Sequence, residues 1–248
     1  MKRFFDPSRV ILDPRAIVEA FTKKHVHELT LPQRCVITFN DADLRRLTGN
    51  RGASVVEAWA PFRMIYHLSG TSTASIRSSF GGPNIAALVE ELSAFGVREF
   101  VLWGYCGGMA PDSAAGDIYI ARRALREEGI SYHYLEDEDD MVSSHWVDDW
   151  TAPAVEAGFR VADVWTTDAI YRETQNKIHA CVERGISAVE METASFYAVA
   201  RAKGLKAVAF LVVSDVFNNG KWISGFHTRP FKEGVKKLSR FMNEKAVI

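Results

Sequence analysis

SAVEMETASFYAVARAKGLKAVAFLVVSDVF, residues 187–217, is the stretch from which the fold can be derived. Residues 207–213 are seven consecutive apolar residues, which is typical of a strand buried on both faces. Before that strand, apolar residues recur at helical spacing through residues 191–202, and Gly204 stands where a helix would end. A helix followed directly by a buried strand predicts an α/β fold.

Three acidic residues interrupt this otherwise apolar stretch. Glu190 and Glu192 fall at the predicted start of the helix, and Asp215 follows the predicted buried strand. Open α/β sheets bind their ligands at the carboxyl edge of the strands. We therefore predict that these three carboxyl groups belong to a ligand site at that edge.

The composition of the chain narrows the classes of function. A chain of 248 residues, 47% of them hydrophobic, can build one large core, so we expect a single domain over residues 1–248. Thirty basic and 31 acidic residues nearly cancel, which argues against nucleic acid or a membrane surface as a partner. The first residues lack the apolar segment of a secretory signal, and the three cysteines are far apart. We expect a reducing, cytoplasmic location.

Strands and helices alternate along most of the chain, which predicts a three-layer α/β/α sandwich. The glycine-rich segment GYCGG, residues 104–108, follows a buried strand and is predicted to form a turn at the ligand edge. Residues 136–149 are strongly acidic and are predicted to form a solvated loop.

Several segments resemble a known family. VEMETASFYAVA at residues 189–200, followed by VVSD, closely resembles the nucleoside phosphorylase family, which includes purine nucleoside phosphorylase, uridine phosphorylase and related nucleosidases. Further segments resemble blocks of that family in the family's order: GGPNIAALVEEL from Gly81, VREFVLWGYCGG from Val97, GDIYIARRALREEGISYHYL from Gly116 and TTDAIYRET from Thr166. The resemblance covers residues 35–217.

This resemblance implies a fold, a reaction and an assembly. The fold would be a central mixed sheet that curls toward a barrel. The reaction would be cleavage of the N-glycosidic bond of a small-molecule nucleoside, for which we expect no cofactor and no metal. The assembly would be a homo-oligomer, either a dimer or a trimer of dimers.

The resemblance also implies roles for the acidic residues. Glu192 matches the second glutamate of the family's Glu-Met-Glu motif, which accepts hydrogen bonds from the ribose hydroxyls; Met191 would pack on the sugar with Glu190 nearby. Asp215 matches the aspartate with which the purine-specific branch protonates or hydrogen-bonds the base. Such a role is chemically reasonable, because a partly desolvated carboxylic acid can donate a proton to a leaving group. Catalytic roles are therefore expected for Glu192 and Asp215.

Other positions would complete the ribose and base pockets. Ile170 and Tyr171 are expected to line the base pocket, and His25 or His27 to reach the 5′ end of the sugar in a neighbouring subunit. The Gln and Arg with which the uridine branch contacts pyrimidines are missing. The resemblance therefore favours a purine-type base.

The phosphate site departs from the family pattern. The block usually written Arg-x-Gly-Thr/Ser is LWGY at residues 102–105, and FNDADLRR at residues 39–46 lacks the family's Pro-Gly-Asp-Pro loop. The arginine of that loop aligns with Leu44 or Arg45, and a further family arginine aligns near Trp59. Phosphate needs fixed positive charge and forked donors. We therefore predict a degenerate phosphate site at Asp41, Arg45, Trp59, Leu102 and Tyr105.

Three hypotheses follow from the sequence. The first is a nucleosidase, in which water replaces phosphate and Asp41 or Asp43 replaces the water-activating glutamate of the family's hydrolase branch. The second is a phosphorylase with a rebuilt anion site, for which the candidates are Arg45, Arg46, Arg63 and Arg77. The third is a binding protein that recognises ribose and base without turnover. The missing cationic ligands favour the first.

Overall fold

The protein is described here by a computed structural model covering residues 4–136, 139–218 and 220–247. The helices are α1 Pro14–Thr22, α2 Asp41–Arg51, α3 Gly82–Ala94, α4 Ser131–Tyr134, α5 Val147–Glu156, α6 Gln175–Glu183, α7 Thr193–Ala202 and α8 Arg229–Phe241. The strands are β1 Arg34–Thr38, β2 Ala53–Val55, β3 Ile65–Leu68, β4 Thr73–Arg77, β5 Glu99–Gly108, β6 Ile118–Glu127, β7 Met141–Ser143, β8 Arg160–Thr167, β9 Ile186–Glu190, β10 Lys206–Asn218 and β11 Lys221–Ser224.

The strands form one mixed sheet whose centre closes on itself. In hydrogen-bonded order the sheet runs β11-β10-β6-β8-β9-β5-β1-β4-β3-β2, with β7 on β6, and β10 also pairs with β5. The five strands β5, β10, β6, β8 and β9 therefore make a closed barrel, from which β1 leads to β4, β3 and β2, while β11 extends from β10 and β7 from β6. Because β5 is parallel to β1 and β10 but antiparallel to β9, the sheet is mixed, as expected.

Helices cover both faces of this sheet. On one face α3 packs with α1 and α7, and on the other α8 packs with α2 and β10. Phe210 in β10 illustrates the second face, since its ring lies 5.6 Å from that of Trp150 in α5 and 5.4 Å from that of Phe241 in α8. The predicted three-layer α/β/α arrangement is confirmed. Within the described ranges, no helix combines the length and the apolar character that crossing a bilayer requires.

The glycine-rich segment was predicted wrongly as a turn. Residues 104–108 continue β5, and Gly107 and Gly108 pair with Val189 and Ala188 of β9. Glycine is needed there because a Cβ on Gly107 would lie 2.9 Å from the ring of Phe217. The glycines let β5 pass close to its neighbours and close the barrel.

The prediction of a solvated loop over the acidic residues 136–149 was also incomplete. Residues 137 and 138 lie outside the described residues, but β7 and the start of α5 follow them. Trp146 and Val147 are buried in the main core. These apolar residues, spaced among the acidic ones, anchor the segment to the sheet.

Candidate functional site

A cavity of about 830 Å³ opens at the carboxyl ends of β5 and β10. Further walls come from the end of β9 and from the segments that follow β1, β4 and β8. Aromatic residues make up much of the lining and include Phe39, Phe80, Trp103, Tyr105, Trp222 and Phe226. The predicted location of the ligand site, at the carboxyl edge of the central strands, matches the position of this cavity.

The charged residues that line the cavity are acidic. They are Glu173, Glu190, Glu192 and Asp215. Among the residues that the structure describes, no Lys or Arg lines the cavity. A ligand that enters therefore meets acidic residues and aromatic faces, with no cation from the described lining.

Glu190 joins β9 to α7. Its carboxylate accepts hydrogen bonds from the backbone N–H groups of Glu192 and Thr193, both at 2.8 Å, and from the hydroxyl of Thr166. The Thr166 oxygen in turn accepts a bond from the N–H of Ala194 at 2.9 Å. Burial raises the pKa of Glu190 even though these bonds lower it. Because Glu190 satisfies the first N–H groups of α7, it fixes the helix start and the position of Glu192.

Glu192 presents its carboxyl group to the cavity from the N-terminal end of α7. It is only 5% exposed, and its Oε1 accepts a hydrogen bond from the backbone N–H of Gly81 at 2.6 Å. Gly81 has a φ of 95°, a left-handed conformation that favours glycine, and it leads directly into α3. Burial, and then the nearby charge of Glu190, raise the pKa of Glu192 to about 8. Glu192 can thus act as donor or acceptor toward hydroxyl groups at neutral pH.

Asp215 lies within β10, so its predicted position beyond the strand end is corrected. The strand continues to Asn218, with a bulge between Val213 and Asp215 that redirects the chain. Its Oδ1 accepts a hydrogen bond from Ser214 Oγ at 2.6 Å, and its Oδ2 accepts one from Trp222 Nε1 at 2.8 Å. Burial raises the pKa of Asp215, although both hydrogen bonds lower it. A carboxyl group in this setting can carry a proton for a leaving group.

Glu173 shares the Asp215 end of the cavity and was missed by the sequence analysis. Burial, and then the charge of Asp215, raise the pKa of Glu173 to about 7. The only signal in the sequence was an acid two residues after Tyr171, within the segment TTDAIYRET, which equally resembles a surface loop. Ile170 and Tyr171 do line the cavity, but they are 51% and 95% exposed and therefore form its mouth.

Tyr105 and Asn40 form another part of the cavity wall. The Tyr105 hydroxyl donates to Asp43 Oδ2 at 2.5 Å, and Asn40 Nδ2 donates to the same oxygen at 2.6 Å. Asp43 is 1% exposed, and Arg46 Nε lies 3.8 Å from its other oxygen. Burial raises the pKa of Asp43; burial, followed by the charge of Asp43, also raises the pKa of Tyr105. The Tyr105 hydroxyl thus donates to a buried carboxyl group.

Two positions of the predicted degenerate phosphate site belong to the core instead. Leu102 is fully buried in the main hydrophobic core. Trp59 is also fully buried, and its Nε1 donates to the backbone oxygen of Leu29 at 2.8 Å. Neither side chain lines the cavity.

Two further positions of that predicted site are on the surface of α2. Asp41 is exposed and pairs with Arg77 at 3.3 Å, and Arg45, one helical turn later, is exposed as well. The buried face of α2 instead carries Asp43 and Leu47. Of the five positions predicted at the phosphate site, only Tyr105 lines the cavity.

The sequence as a whole matches the model of a family described as the phosphorylase superfamily, over residues 35–243. The chain belongs to this superfamily. A guanosine phosphorylase of Halorubrum lacusprofundi is 33% identical over 147 residues, which are 58% of this chain and 61% of that protein. A DeoD-type purine nucleoside phosphorylase of Bacillus cytotoxicus is 30% identical over 151 residues, 58% of this chain and 63% of its own. The matches thus span less than two thirds of these relatives.

Solved structures agree with the superfamily fold. A purine nucleoside phosphorylase of Toxoplasma gondii, in complex with immucillin-H, superposes with a TM-score of 0.76 at 15% identity, covering 92% of this chain and 94% of its own. An AMP nucleosidase of Bacteroides thetaiotaomicron gives a TM-score of 0.68 at 20% identity, covering 94% and 99%. At these identities the likeness concerns the fold alone.

The remaining candidate residues lie away from the cavity of this superfamily member. His25 and His27 are exposed, lie before the matched range and stack on each other with ring centroids 5.9 Å apart. Arg63 pairs with Glu91 on α3. The cavity of one chain therefore receives neither the two histidines nor the four arginines that were considered for an anion site.

Proposed function

We propose that the protein hydrolyses the N-glycosidic bond of a purine-type nucleoside. The observation that carries this proposal is the lack of a cation in the described lining of the cavity, which includes four acidic residues and no Lys or Arg. Phosphate is an anion that needs cationic or forked donors to bind. Water is neutral and needs no such donors.

The reaction itself suits an acidic cavity. N-glycosidic cleavage passes through a sugar with oxocarbenium character, in which positive charge develops at the ring. Glu192, buried at the start of α7, is proposed to hold the vicinal ribose hydroxyls, with Met191 packing beside the sugar. Carboxyl groups near the ring stabilise positive charge as it forms.

The base is proposed to lie at the Asp215 end. A purine that leaves must take a proton or a strong hydrogen bond on its ring nitrogen, and Asp215 is held for this by Ser214 and Trp222. Glu173 offers a second carboxyl group at the same end, which suits a base with several N–H donors. Ile170 and Tyr171 are proposed to contact the base at the cavity mouth.

Phosphorolysis is the second candidate function, because the relatives named above are called phosphorylases. It would need a rebuilt anion site. Yet Arg63 and Arg77 are paired with Glu91 and Asp41, and Arg45 is exposed on α2. A cation from a neighbouring subunit would be required. A protein that binds nucleosides without turnover is the third candidate.

The decisive assay compares products with and without phosphate. Purified protein is incubated with guanosine, inosine and adenosine in phosphate-free buffer, and free base and free ribose are measured. We expect equal amounts of both, at a rate that does not change when millimolar phosphate is added. A rate that rises with phosphate, with ribose 1-phosphate as the product, would establish phosphorolysis. Absence of both products, together with nucleoside binding by calorimetry, would support the binding protein.

We also propose that the protein is a homo-oligomer built from dimers. His25 and His27 are exposed together and outside the cavity of their own chain, which fits a role at the cavity of a neighbour. Light scattering should give a mass of at least twice 27.7 kDa at micromolar concentration. A stable mass of one chain would contradict the proposal.

A further inference from the structure

Tyr105 has a hydrogen-bond partner inside the protein to which no role has been assigned above. Tyr105 stands where the superfamily block carries a small hydroxyl residue, and its ring fills that end of the cavity. Its hydroxyl is not directed at solvent but donates to Asp43 Oδ2 at 2.5 Å. The hydroxyl proton is therefore fixed on the Asp43 side; the Asn40 side chain lies near one lone pair of the oxygen, and the other can accept from a molecule in the cavity.

Asp43 is built to receive a proton from this side. It is 1% exposed, and Asn40, which also lines the cavity and caps α2, donates to the same Oδ2 at 2.6 Å. The charged group facing Asp43 is Arg46, with its Nε 3.8 Å from Oδ1. Of the two aspartates considered from the sequence, Asp41 is exposed and paired with Arg77, so only Asp43 is connected to the cavity.

The Tyr105 end lies across β5 from the proposed leaving group. Asp215 is on β10, and Asn40 follows β1, and these two strands pair with β5 on its opposite edges. The wall between Tyr105 and the ribose end is continuous, since Phe39 stacks on Phe80 at 5.9 Å and Gly81 binds Glu192. Displacement of the base requires a nucleophile held at Tyr105 to approach the sugar from the side away from Asp215.

We propose that Tyr105 is a catalytic residue that binds the attacking water and relays its proton to Asp43, the positioning residue behind it. The proposal rests on the hydrolytic function proposed above. The water oxygen forms a bond to C1′ while the C1′–N bond breaks and leaves its electron pair on the base. One water proton passes to the Tyr105 oxygen as the Tyr105 proton passes to Asp43 Oδ2, and the base takes a proton from Asp215.

Protons balance over the cycle. Asp43 ends protonated and Asp215 ionised, and exchange with solvent restores both groups. The raised pKa of Tyr105 keeps the phenol neutral at working pH, so it serves as a relay between water and carboxylate instead of as a free phenolate base. The raised pKa of Asp43 makes its carboxylate a stronger base than an exposed aspartate.

The test compares Tyr105→Phe with Tyr119→Phe, which removes a buried, hydrogen-bonded hydroxyl outside the cavity. With a nucleoside that the parent protein hydrolyses, Tyr105→Phe should lower kcat by about 10²- to 10⁴-fold with KM nearly unchanged. The acid limb of the kcat–pH profile, which reports ionisation of Asp43, should disappear. Azide, an anionic nucleophile that needs no base, should restore turnover and give ribosyl azide. Tyr119→Phe should keep parental kcat.

Several results would overturn the relay. They are a kcat in Tyr105→Phe within about threefold of the parent, a loss confined to KM, or an unchanged acid limb. Asp43→Asn should reproduce the loss and the azide rescue; if that buried change prevents folding, Tyr105→Phe, with nucleoside binding measured by calorimetry, decides alone. Parental protein that releases no free ribose would instead refute the hydrolytic function, so the two failures can be told apart.

Discussion

The two ends of the cavity differ in how far they keep the residue types of their superfamily. At one end lie Glu190, Glu192 and Asp215, for which the resemblance implies contacts with ribose and base, and backbone or side-chain donors hold each one. At the other end, a tyrosine and a buried aspartate occupy the region where an anion site would be. The two ends are built from different elements: Glu190 and Glu192 lie between β9 and α7 and Asp215 lies on β10, whereas Tyr105 lies on β5 and Asp43 on α2.

The largest expected effect depends on the leaving group of the substrate and tests whether the two ends of the cavity have separate roles. Asp215→Asn should lower kcat on purine nucleosides by about 10²- to 10⁴-fold, because the neutral amide cannot protonate the base. With 4-nitrophenyl riboside, whose leaving group needs no proton, the same variant should approach parental activity. Tyr105→Phe should be slow with both substrates. Equal losses of Asp215→Asn on both substrates would show that the two ends do not divide the work in this way.

A smaller effect is expected from the ribose contact. Hydrogen bonds to a charged group contribute about 1.5–3 kcal/mol, so Glu192→Gln should weaken nucleoside binding by about ten- to 100-fold. Calorimetry with the parent and variant proteins measures this. A 2′,3′-dideoxynucleoside lacks the hydroxyls that Glu192 is proposed to bind and serves as the control. If the substitution weakens binding of the dideoxynucleoside by the same factor as binding of the riboside, Glu192 does not contact the hydroxyls.

The same substitution should change how stability depends on pH. Glu192 has a pKa of about 8 in the folded protein against an ordinary 4.5, so the folded state holds its proton where the unfolded state has lost it. Its contribution to stability is full below pH 4.5 and is lost as the pH rises toward 8, at no more than about 1.4 kcal/mol per pH unit. Glu192→Gln should therefore gain stability relative to the parent between pH 5 and 8. The free energy of unfolding of the parent and the variant is measured with urea at pH 5 and at pH 8. A difference between the two proteins that is the same at both pH values would contradict this prediction.

The smallest expected effect concerns Trp222, which donates to Asp215 from β11. Trp222→Phe removes one donor to the ionised carboxylate, so the pKa of Asp215 should rise further. Because the reaction uses the protonated acid, the alkaline limb of kcat should move to higher pH, with a loss of only a few-fold at neutral pH. An alkaline limb that stays in place would show that another group sets it.

The sequence predicted the fold and the acidic end of the site better than it predicted the other end. The continuous apolar run at residues 207–213 and the helical spacing of apolar residues in α7 are strong signals of secondary structure. Glu190, Glu192 and Asp215 are conspicuous because acidic residues are unusual in such apolar surroundings. Leu102 and Trp59 were placed at the site by alignment alone, and core packing determines otherwise. Asn40, Trp222 and Glu173 could not be predicted, because their roles depend on which strands meet at the barrel and on the β10–β11 hairpin.

Closure of the barrel has a consequence for amide hydrogen exchange. Residues 210–212 of β10 are bonded to β5 on one edge and to β6 on the other, and Val212 pairs with Tyr105. Their amides open only with most of the barrel, whereas those of β11, whose residues are all exposed on a hairpin, exchange by local opening. The amides of β11, which carries Trp222, should therefore exchange much faster than those of residues 210–212.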